Sequence, residues 1–465
     1  MGTDWEKLAG EKGEVVPSGR FDRLFRVGKL GASIGAGTAL RKVGSVFGFG
    51  SGKKDEGGED RVLVEQAEKV AKVLGEMKGA AMKVGQMLSA DPDLLPPEFT
   101  SRLTTLQASA PPMTFRMVKD VLEEAYGQPL EAVFSEFTPE PIGSASIGQV
   151  HRGRLKTGEA VAVKVQYPGI DKTLKSDLDN LASVMAMSRV VIEKAKIQAY
   201  LQEIGRAILD ESDYMTEAGN LNRFVEILSK RPGVSAPRPF DAWTRRNVLV
   251  MELIVGTKLD VALDAFVDDP DRKNAILERF VETYSWLLHE QHVLHADPHP
   301  GNFLLTPDGD MVMLDFGCIK ECDERFSDGV LDIMDACWQG DDRRAAGLYR
   351  ELGFGRGSQG DELFNPERMR QYHEIGLEPF LRDETFEFAN WDMRRRLQRF
   401  IMEWPTFIKM TPPADGLLVF RVLGGIKGLL TKSGGQLNVH RMAVETARRR
   451  GRLTGEPLRS ALLTH

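Results

Sequence analysis

The chain has 465 residues, and its 61 Lys and Arg against 68 Asp and Glu give a formal net charge of −7. Apolar residues make up 42% of the chain and charged residues 28%, which is typical of a folded soluble protein and excludes disorder along the whole length. The chain has 3 cysteines, which excludes a disulfide-stabilised extracellular scaffold and favours a reducing, cytoplasmic compartment. No run approaches the ~18–20 apolar residues of a membrane helix, and the first residues lack the pattern of a signal peptide.

The first 60 residues are predicted to be a basic, glycine-rich arm and linker. Between Arg20 and Lys54, eight Lys or Arg accompany a single acid, Asp22, so this stretch carries +7 and the rest of the chain −14. Two interpretations stay open: adhesion to an anionic membrane surface, at about 1 kcal/mol per basic residue, and a solvated arm. Nucleic acid is disfavoured as a partner, because the chain is acidic overall and its basic residues are not interleaved with aromatic ones. A second basic cluster, Arg448–Arg452, is interpreted as a solvated tail, with binding of an acidic partner or a lipid as the open alternative.

Periodic apolar spacing predicts the helices and strands of the remaining chain. In chain order these are helices at Val62–Ser89, Glu98–Gln107 and Thr114–Tyr126, strands at Ile147–Leu155 and Ala160–Gln166 joined by a turn at Lys156–Glu159, helix over Leu174–Leu228, a strand within Asn247–Val255, and a loop-and-strand cluster over Val293–Ile319. Most of the remainder is predicted to be helical. The strands are thus confined to a few stretches of an otherwise helical chain.

The sharpest motif lies in the second half of the chain. It reads His295-Ala296-Asp297-Pro298-His299-Pro300-Gly301-Asn302, and a strand-like run then leads into Asp315-Phe316-Gly317. An Asp followed five residues later by Asn, and then a strand ending in Asp-Phe-Gly, is typical of the catalytic loop and the metal-binding Asp of kinase-like enzymes. We expect Asp297 to orient or deprotonate an attacking hydroxyl or water, and Asn302 and Asp315 to hold Mg²⁺ on the phosphates of ATP.

The upstream part of the chain supplies the other groups that a kinase-like enzyme needs. Small residues at Gly143, Ser144, Ala145 and Ser146 would let backbone N–H groups approach the phosphates. Lys164 follows on a predicted strand and is expected to pair with the α- and β-phosphates. The backbone of Met251, Glu252 and Leu253 is expected to form the hinge that meets the adenine. ATP and Mg²⁺ are therefore the predicted cofactors.

Two further motifs make the resemblance to a known family specific. Lys83-Val84-Gly85-Gln86 matches a K-x-G-Q motif, and Glu211-Ser212-Asp213 matches an E-x-D motif, with Glu217 six residues after Glu211. With these motifs, the chain from about residue 62 to about residue 450 resembles the UbiB (AarF-type) family of atypical kinase-like proteins. The resemblance implies that Glu217 pairs with the strand lysine. It also implies that Lys83 and Gln86 meet Glu211 and Asp213 over the nucleotide site and gate access to it.

The resemblance implies an α+β, protein-kinase-like two-lobed fold. Its parts would be a helical extension over the active site (61–139), a small mixed lobe with inserted helices (140–254) and a helical lobe with the catalytic loop (255–465). Gly143 and Ser144 depart from the alanines expected in the family's phosphate loop, so the nucleotide preference stays open. The chain after Gly317 lacks the Ala-Pro-Glu marker of a peptide-binding platform.

The implied activity is Mg²⁺-dependent binding and hydrolysis of ATP in support of isoprenoid quinone (ubiquinone-type) or other lipid metabolism. A lipid or prenyl-quinone precursor is the implied partner, and the implied location is cytoplasmic or peripheral to a membrane. Two alternatives stay open. One is a true phosphotransferase acting on a small molecule or a protein, and the other is a non-catalytic scaffold that binds nucleotide.

Overall fold

The computed structural model describes residues 113–145, 147–170, 212–355, 363–413 and 416–458. The basic arm, the predicted helices before residue 113, Lys83, Gln86, Ser146 and Glu211 lie outside the described residues. The chain divides into two compact units. The first unit extends to Gly256 and includes Thr306–Cys318, and the second unit comprises Thr257–Leu305 and the chain from Ile319 onward.

Most strands lie in the first half of the described chain, and most helices lie in the second half. In chain order the elements begin with α1 (Phe115–Tyr126), α2 (Leu130–Val133), β1 (Phe134–Ala145), β2 (Gly148–Leu155), β3 (Ala160–Gln166), α3 (Tyr214–Leu228), β4 (Val234–Ser235) and β5 (Val248–Glu252). They continue with β6 (Thr257–Lys258), α4 (Leu259–Ala265), α5 (Pro270–His289), β7 (Val293–His295), β8 (Phe303–Leu305), β9 (Met311–Met313), β10 (Ile319–Glu321), α6 (Glu324–Trp338), α7 (Asp342–Glu351), α8 (Pro366–Gly376), α9 (Glu378–Leu381), β11 (Phe386–Glu387), α10 (Met393–Glu403), α11 (Leu417–Ser433), β12 (Gln436–Leu437) and α12 (Val439–Arg449). Short 3₁₀ turns lie at Pro300–Asn302, Phe388–Asn390 and Pro405–Lys409.

The first unit is built on an antiparallel sheet in the order β1-β2-β3-β5. β2 and β3 are joined by the predicted turn, where Gly158 adopts a φ of 107° that other residues rarely adopt. Helix α1 begins after Thr114, whose side chain accepts from the Met117 amide, and it ends at Gly127 with a φ of 65°. The apolar face of α1 and those of the strands share one core, which includes Leu122 and Val163. The predictions of α1 and of β3 over Ala160–Gln166 are confirmed.

Helical patterns are predicted over Leu174–Leu228, and the structure describes this stretch from Ser212 onward. Ser212 lies in a turn, and helix α3 extends from Tyr214 to Leu228. Asp213 is the N-cap residue of α3, and its carboxylate accepts from the Met215 amide at 2.9 Å. A carboxylate in this position satisfies an amide that has no partner within the helix, which is why the helix begins here.

The second unit is mainly helical, and within it β6 pairs with β8, β7 with β10 and β11 with β12, each pair antiparallel. Helices α6 and α12 share an apolar core that includes Leu331, Trp338 and Ala447. Within the described residues, no helix has both the length and the apolar character that crossing a membrane requires.

The interpretation of the second basic cluster as a solvated tail is wrong for two of its arginines. Arg450 donates to Asp328 at 3.0 Å and to Glu324 at 2.8 Å, and Arg452 is hydrogen-bonded to Asp332. The three acids are four residues apart and therefore lie on one face of α6. The segment after α12 is thus bound to that face by hydrogen bonds and ion pairs.

Candidate active site

A buried lysine and glutamate form the centre of the first unit. Lys164 lies in the middle of β3, opposite Val150 of β2 and Leu249 of β5. Its Nζ atom lies 2.8 Å from Oε1 and 2.9 Å from Oε2 of Glu217, and the two residues are 4% and 1% exposed. Two charges buried this deeply persist only when they are paired. The structure thus brings together the two residues that the sequence predicts as partners.

The pairing is set by how the chain enters α3. The Gln166 side-chain amide, at the end of β3, donates to the Ser212 carbonyl at 2.7 Å. This bond ties the segment just before α3 to the strand that carries Lys164. Asp213 then caps the helix, and Glu217 lies in its first turn. Asp213, predicted as a gating residue, also lies 3.7 Å from the guanidinium of Arg246.

Asp315 joins the same cluster. One of its carboxylate oxygens lies 3.6 Å from Lys164 Nζ, and the other accepts from the Gly317 amide at 3.0 Å. The Asn220 side chain donates to the Phe316 carbonyl at 2.9 Å, and the Phe316 ring packs on Phe224 with centroids 4.8 Å apart. Helix α3 therefore holds both Lys164 and the Asp-Phe-Gly segment.

The electrostatics of the cluster favour a permanently charged lysine. Burial by itself would lower the pKa of Lys164, but the carboxylates of Asp315 and Glu217, together with the hydrogen bond to Glu217, raise that pKa well above its usual range. The ammonium also lies 5.0 Å from the centroid of the Tyr214 ring. Lys164 is thus a fixed positive charge rather than a proton donor.

In the structure, the described residues of the predicted phosphate loop form part of a strand rather than a loop. Gly143 to Ala145 belong to β1 and pair with Val150, Gln149 and Gly148 of β2, so these residues form the end of a hairpin. Gly148 is the residue that packing requires to be glycine, because a Cβ atom there would lie 2.2 Å from the Val165 carbonyl oxygen. The hairpin end can therefore lie close against β3.

Fewer backbone atoms of the predicted hinge are available to adenine than the sequence alone indicates. Met251 is buried in β5, the Glu252 amide donates to the Arg238 carbonyl at 2.8 Å, and the Leu253 amide donates to the Ala160 carbonyl at 3.2 Å. An amide engaged in this way has no second hydrogen to offer. Adenine contacts at Glu252 and Leu253 would therefore use their carbonyl oxygens.

The catalytic loop lies in the second unit, after β7. Asn302 donates from its side-chain nitrogen to the Asp297 carboxylate at 3.1 Å and to the Asp297 carbonyl at 3.2 Å. The Gly301 amide donates to Nδ1 of His299 at 3.1 Å, which closes the turn between them. His295 is fully buried and packs edge-on against the Phe303 ring. Asp297 and Asn302, which are both predicted site residues, are thus in direct contact.

Two residues, one in each unit, contact predicted site segments but were not themselves predicted. Asn220 follows Glu217 by three positions, so the two share a face of α3, and that spacing could have pointed to it. Arg421 lies in α11, with its Nη2 atom 3.8 Å from the Asp297 carboxylate. Its distance along the chain from the catalytic loop left no local signal in the sequence.

Asp315 and Asn302 each carry a side-chain oxygen of the kind that Mg²⁺ prefers. Among the described residues, no group of three or more His, Cys, Asp and Glu is arranged to hold a metal by itself. Mg²⁺, however, is usually bound by one or two protein oxygens together with substrate phosphates and water. In the first unit, Asp315 offers a partly exposed carboxylate. In the second unit, Asn302 donates from its side-chain nitrogen to Asp297, so its Oδ1 oxygen is not used in that bond.

The chain is similar in sequence to known atypical kinases. Residues 105–349 match the ABC1 atypical kinase-like domain. The chain is 29% identical over 426 residues to the mitochondrial atypical kinase coq-8 of Caenorhabditis elegans, covering 90% of this chain and 56% of that one. It is 31% identical to the mitochondrial atypical kinase COQ8B of Danio rerio (87% and 64% covered) and 30% identical to that of Rattus norvegicus (88% and 77% covered), each over 412 residues. The chain thus spans less than two thirds of the nematode and fish proteins.

A solved structure is also similar. It is the complex of Rv3197 from Mycobacterium tuberculosis with erythromycin, with a TM-score of 0.60 and 26% identity. The match covers 83% of this chain and 98% of that one. The similarity therefore extends well beyond the first unit.

Proposed function

Because the chain belongs to the ABC1 atypical kinase-like family and has a kinase-like fold, we propose that it binds ATP with Mg²⁺ and transfers the terminal phosphoryl group to water. The observation that carries the proposal is the cluster formed by the buried pair of Lys164 and Glu217 with the partly exposed Asp315. A lysine held by a helix glutamate, next to the Asp of an Asp-Phe-Gly segment, is the arrangement that kinase-like enzymes use to bind phosphates.

Each predicted site residue has a separate task in this proposal. Lys164 binds the α- and β-phosphates, and Glu217 fixes the position of the lysine. Asp315 and Asn302 would hold Mg²⁺, which neutralises charge on the phosphate oxygens when it is bound. Asp297, oriented by the Asn302 side chain, positions the attacking water and receives its proton.

The nucleotide pocket is completed by backbone groups. The carbonyl oxygens of Glu252 and Leu253 are suited to accept from the exocyclic amine of adenine, because the amides of both residues are already engaged. The hairpin end at Gly143 to Ala145 would cover the phosphates, where a Cβ atom at Gly143 meets nothing within 4 Å. The small side chains there leave the backbone accessible to an anionic ligand.

The acceptor and the pathway follow from the resemblance. The UbiB-type motifs and the relatives named COQ8 support a role in isoprenoid quinone or other lipid metabolism, with a lipid or prenyl-quinone precursor as ligand. In this proposal Lys83 and Gln86, with Glu211 and Asp213, restrict access to the site. A restricted site favours water or a small molecule over a protein as the acceptor.

The test is a Mg²⁺-dependent ATPase assay of the full chain, with and without anionic liposomes and a phenolic prenyl-like compound. Asp315→Ala and Lys164→Ala should abolish turnover, and Lys164→Ala should also weaken nucleotide binding. Asp308→Ala, which removes an exposed carboxylate in the turn before β9, is the matched control and should retain the wild-type rate. Full activity in Asp315→Ala would refute the proposal, and binding of Mg-ATP without any turnover would identify a scaffold instead.

A further inference from the structure

Arg421 is a buried guanidinium whose hydrogen-bonding capacity is not used by the described residues. It is 8% exposed, and its Nε and Nη1 atoms have no hydrogen-bond partner in the part of the chain that the structure describes. Its Nη2 atom lies 3.8 Å from the Asp297 carboxylate, which is an ion-pair distance but too long for a hydrogen bond. Buried donors without acceptors are rare in folded proteins, so each one calls for an explanation.

The position of Arg421 beside Asp297 is fixed by packing. Gly425, one helical turn further along α11, lies directly against Pro298, and a Cβ atom at Gly425 would come within 2.6 Å of the proline ring. Residues four apart share a helix face, so Arg421 and Gly425 both face the catalytic loop. Close approach of α11 to this loop therefore places the guanidinium next to the predicted catalytic carboxylate.

The chemistry of the site selects an anion. A guanidinium presents planar, parallel N–H groups that match the oxygens of phosphates and carboxylates. The catalytic loop from Asp297 to Asn302 contains no Lys or Arg, so a positive charge beside Asp297 has to come from another segment. Asn302 already donates to Oδ2 of Asp297. A ligand that bound Arg421 through a carboxylate would place that carboxylate next to the carboxylate of Asp297.

We propose that Arg421 is a further catalytic residue, which donates from Nε and Nη1 to the nonbridging oxygens of the phosphoryl group in transfer. This inference rests on the proposed function. In the transfer, a water oxygen bonds to the γ-phosphorus while the bond to the bridging oxygen breaks, and ADP leaves with that electron pair. The water proton passes to Asp297 and then to solvent. In the transition state, negative charge is spread over the three equatorial phosphoryl oxygens and the leaving oxygen, and a fixed cation beside these oxygens stabilises it.

The experiment compares Arg421→Met and Arg421→Lys with Lys432→Met, which removes an exposed cation from the same helix. The kcat and the KM for ATP are measured, together with the affinity for Mg-ADP in the presence and absence of aluminium fluoride, which mimics the phosphoryl group in transfer. Arg421→Met should lower kcat by about 10²-fold or more. It should leave the affinity for Mg-ADP unchanged and abolish the gain in affinity that aluminium fluoride gives the wild type.

Several results would overturn the inference. A wild-type kcat in Arg421→Met would refute it alone, whereas a wild-type chain that neither binds Mg-ADP nor hydrolyses ATP would refute the proposed function as well. An equal loss of affinity for Mg-ADP with and without aluminium fluoride would assign Arg421 a positioning role only. If Arg421→Met does not fold, Arg421→Lys decides, because it keeps the charge but loses the paired donors. Wild-type affinity for the aluminium fluoride complex in that variant would also refute the inference.

Discussion

The ion pair between Lys164 and Glu217 gives a quantitative prediction through a double-mutant cycle with Lys164→Met and Glu217→Gln. At 2.8 Å and an effective dielectric constant of ~20, the attraction between the two charges is about 6 kcal/mol before the cost of removing them from water. Both groups are almost fully buried, so this cost offsets most of the attraction. Removal of one partner then leaves a buried charge that is only partly compensated.

Asp315 moderates the effect of removing Glu217. Its carboxylate, 3.6 Å from Lys164, still faces the ammonium in Glu217→Gln. We therefore expect this variant to lose about 3 kcal/mol of unfolding free energy, at the low end of the ~3–5 kcal/mol seen when a buried pair is broken. Replacing both residues leaves no uncompensated ammonium, so the double variant should be destabilised by much less than the sum of the two single variants, with a coupling of about 2 kcal/mol.

Urea unfolding of the full chain measures the cycle, with m-values checked for constancy. The matched control is the pair formed by Lys119 and Glu131, which has a similar separation of 3.0 Å but side chains 32% and 53% exposed. Its coupling should stay below about 1 kcal/mol because solvent screens exposed pairs. Additivity of the Lys164 and Glu217 substitutions to within about 0.5 kcal/mol would refute the reasoning.

Three further predictions concern other parts of the fold. Asn220→Leu removes the donor to the Asp-Phe-Gly segment and should raise the Mg²⁺ concentration for half-maximal ATPase activity by about 10–100-fold, whereas an unchanged Mg²⁺ dependence would contradict a positioning role. Burial lowers the pKa of His289 and of His373 to about 4, so stability present above pH ~6.5 should be lost as the pH falls toward 4, by up to about 3 kcal/mol for each residue. The double variant His289→Leu/His373→Phe should lose less stability than the wild type as the pH falls, as measured by urea unfolding at each pH. Parallel pH profiles of the variant and the wild type would contradict this prediction. Asp335→Asn weakens the buried bond to Arg344 and should lower the stability by about 3 kcal/mol, as read from the urea midpoint; an unchanged midpoint would exclude it.

Local patterns were enough to predict the elements whose ends are marked by turn and cap chemistry. β3 was predicted over its full length because apolar alternation begins directly after a Lys-Thr-Gly-Glu turn. Helix α1 was predicted over Thr114–Tyr126, and in the structure Thr114 caps its start and Gly127, with a φ of 65°, follows its end. The described part of the helical patterns predicted over Leu174–Leu228 is α3, and the Asp213 cap sets where that helix begins.

Contacts between distant segments could not be predicted from local patterns. Gly143 to Ala145 pair with β2, but small residues give little strand signal of their own. Arg421 reaches Asp297 only because Gly425 lets α11 pack against Pro298. In contrast, Lys164, Glu217 and Asp315 could be predicted as a group, because each lies in a motif whose chemistry requires the others.

The two buried cations, Lys164 and Arg421, differ in how far neighbouring carboxylates compensate their charge. Lys164 makes two short contacts with Glu217 and lies near Asp315, so its charge is compensated within the first unit. Arg421 has one distant carboxylate and two buried donors without partners among the described residues. The same substitution should therefore have opposite effects on stability. Lys164→Met leaves two facing carboxylates and should destabilise the fold, whereas Arg421→Met removes unsatisfied donors and should leave the urea midpoint unchanged or raise it. A compensated cation stabilises the resting protein, and an uncompensated one is available to a ligand that arrives with negative charge.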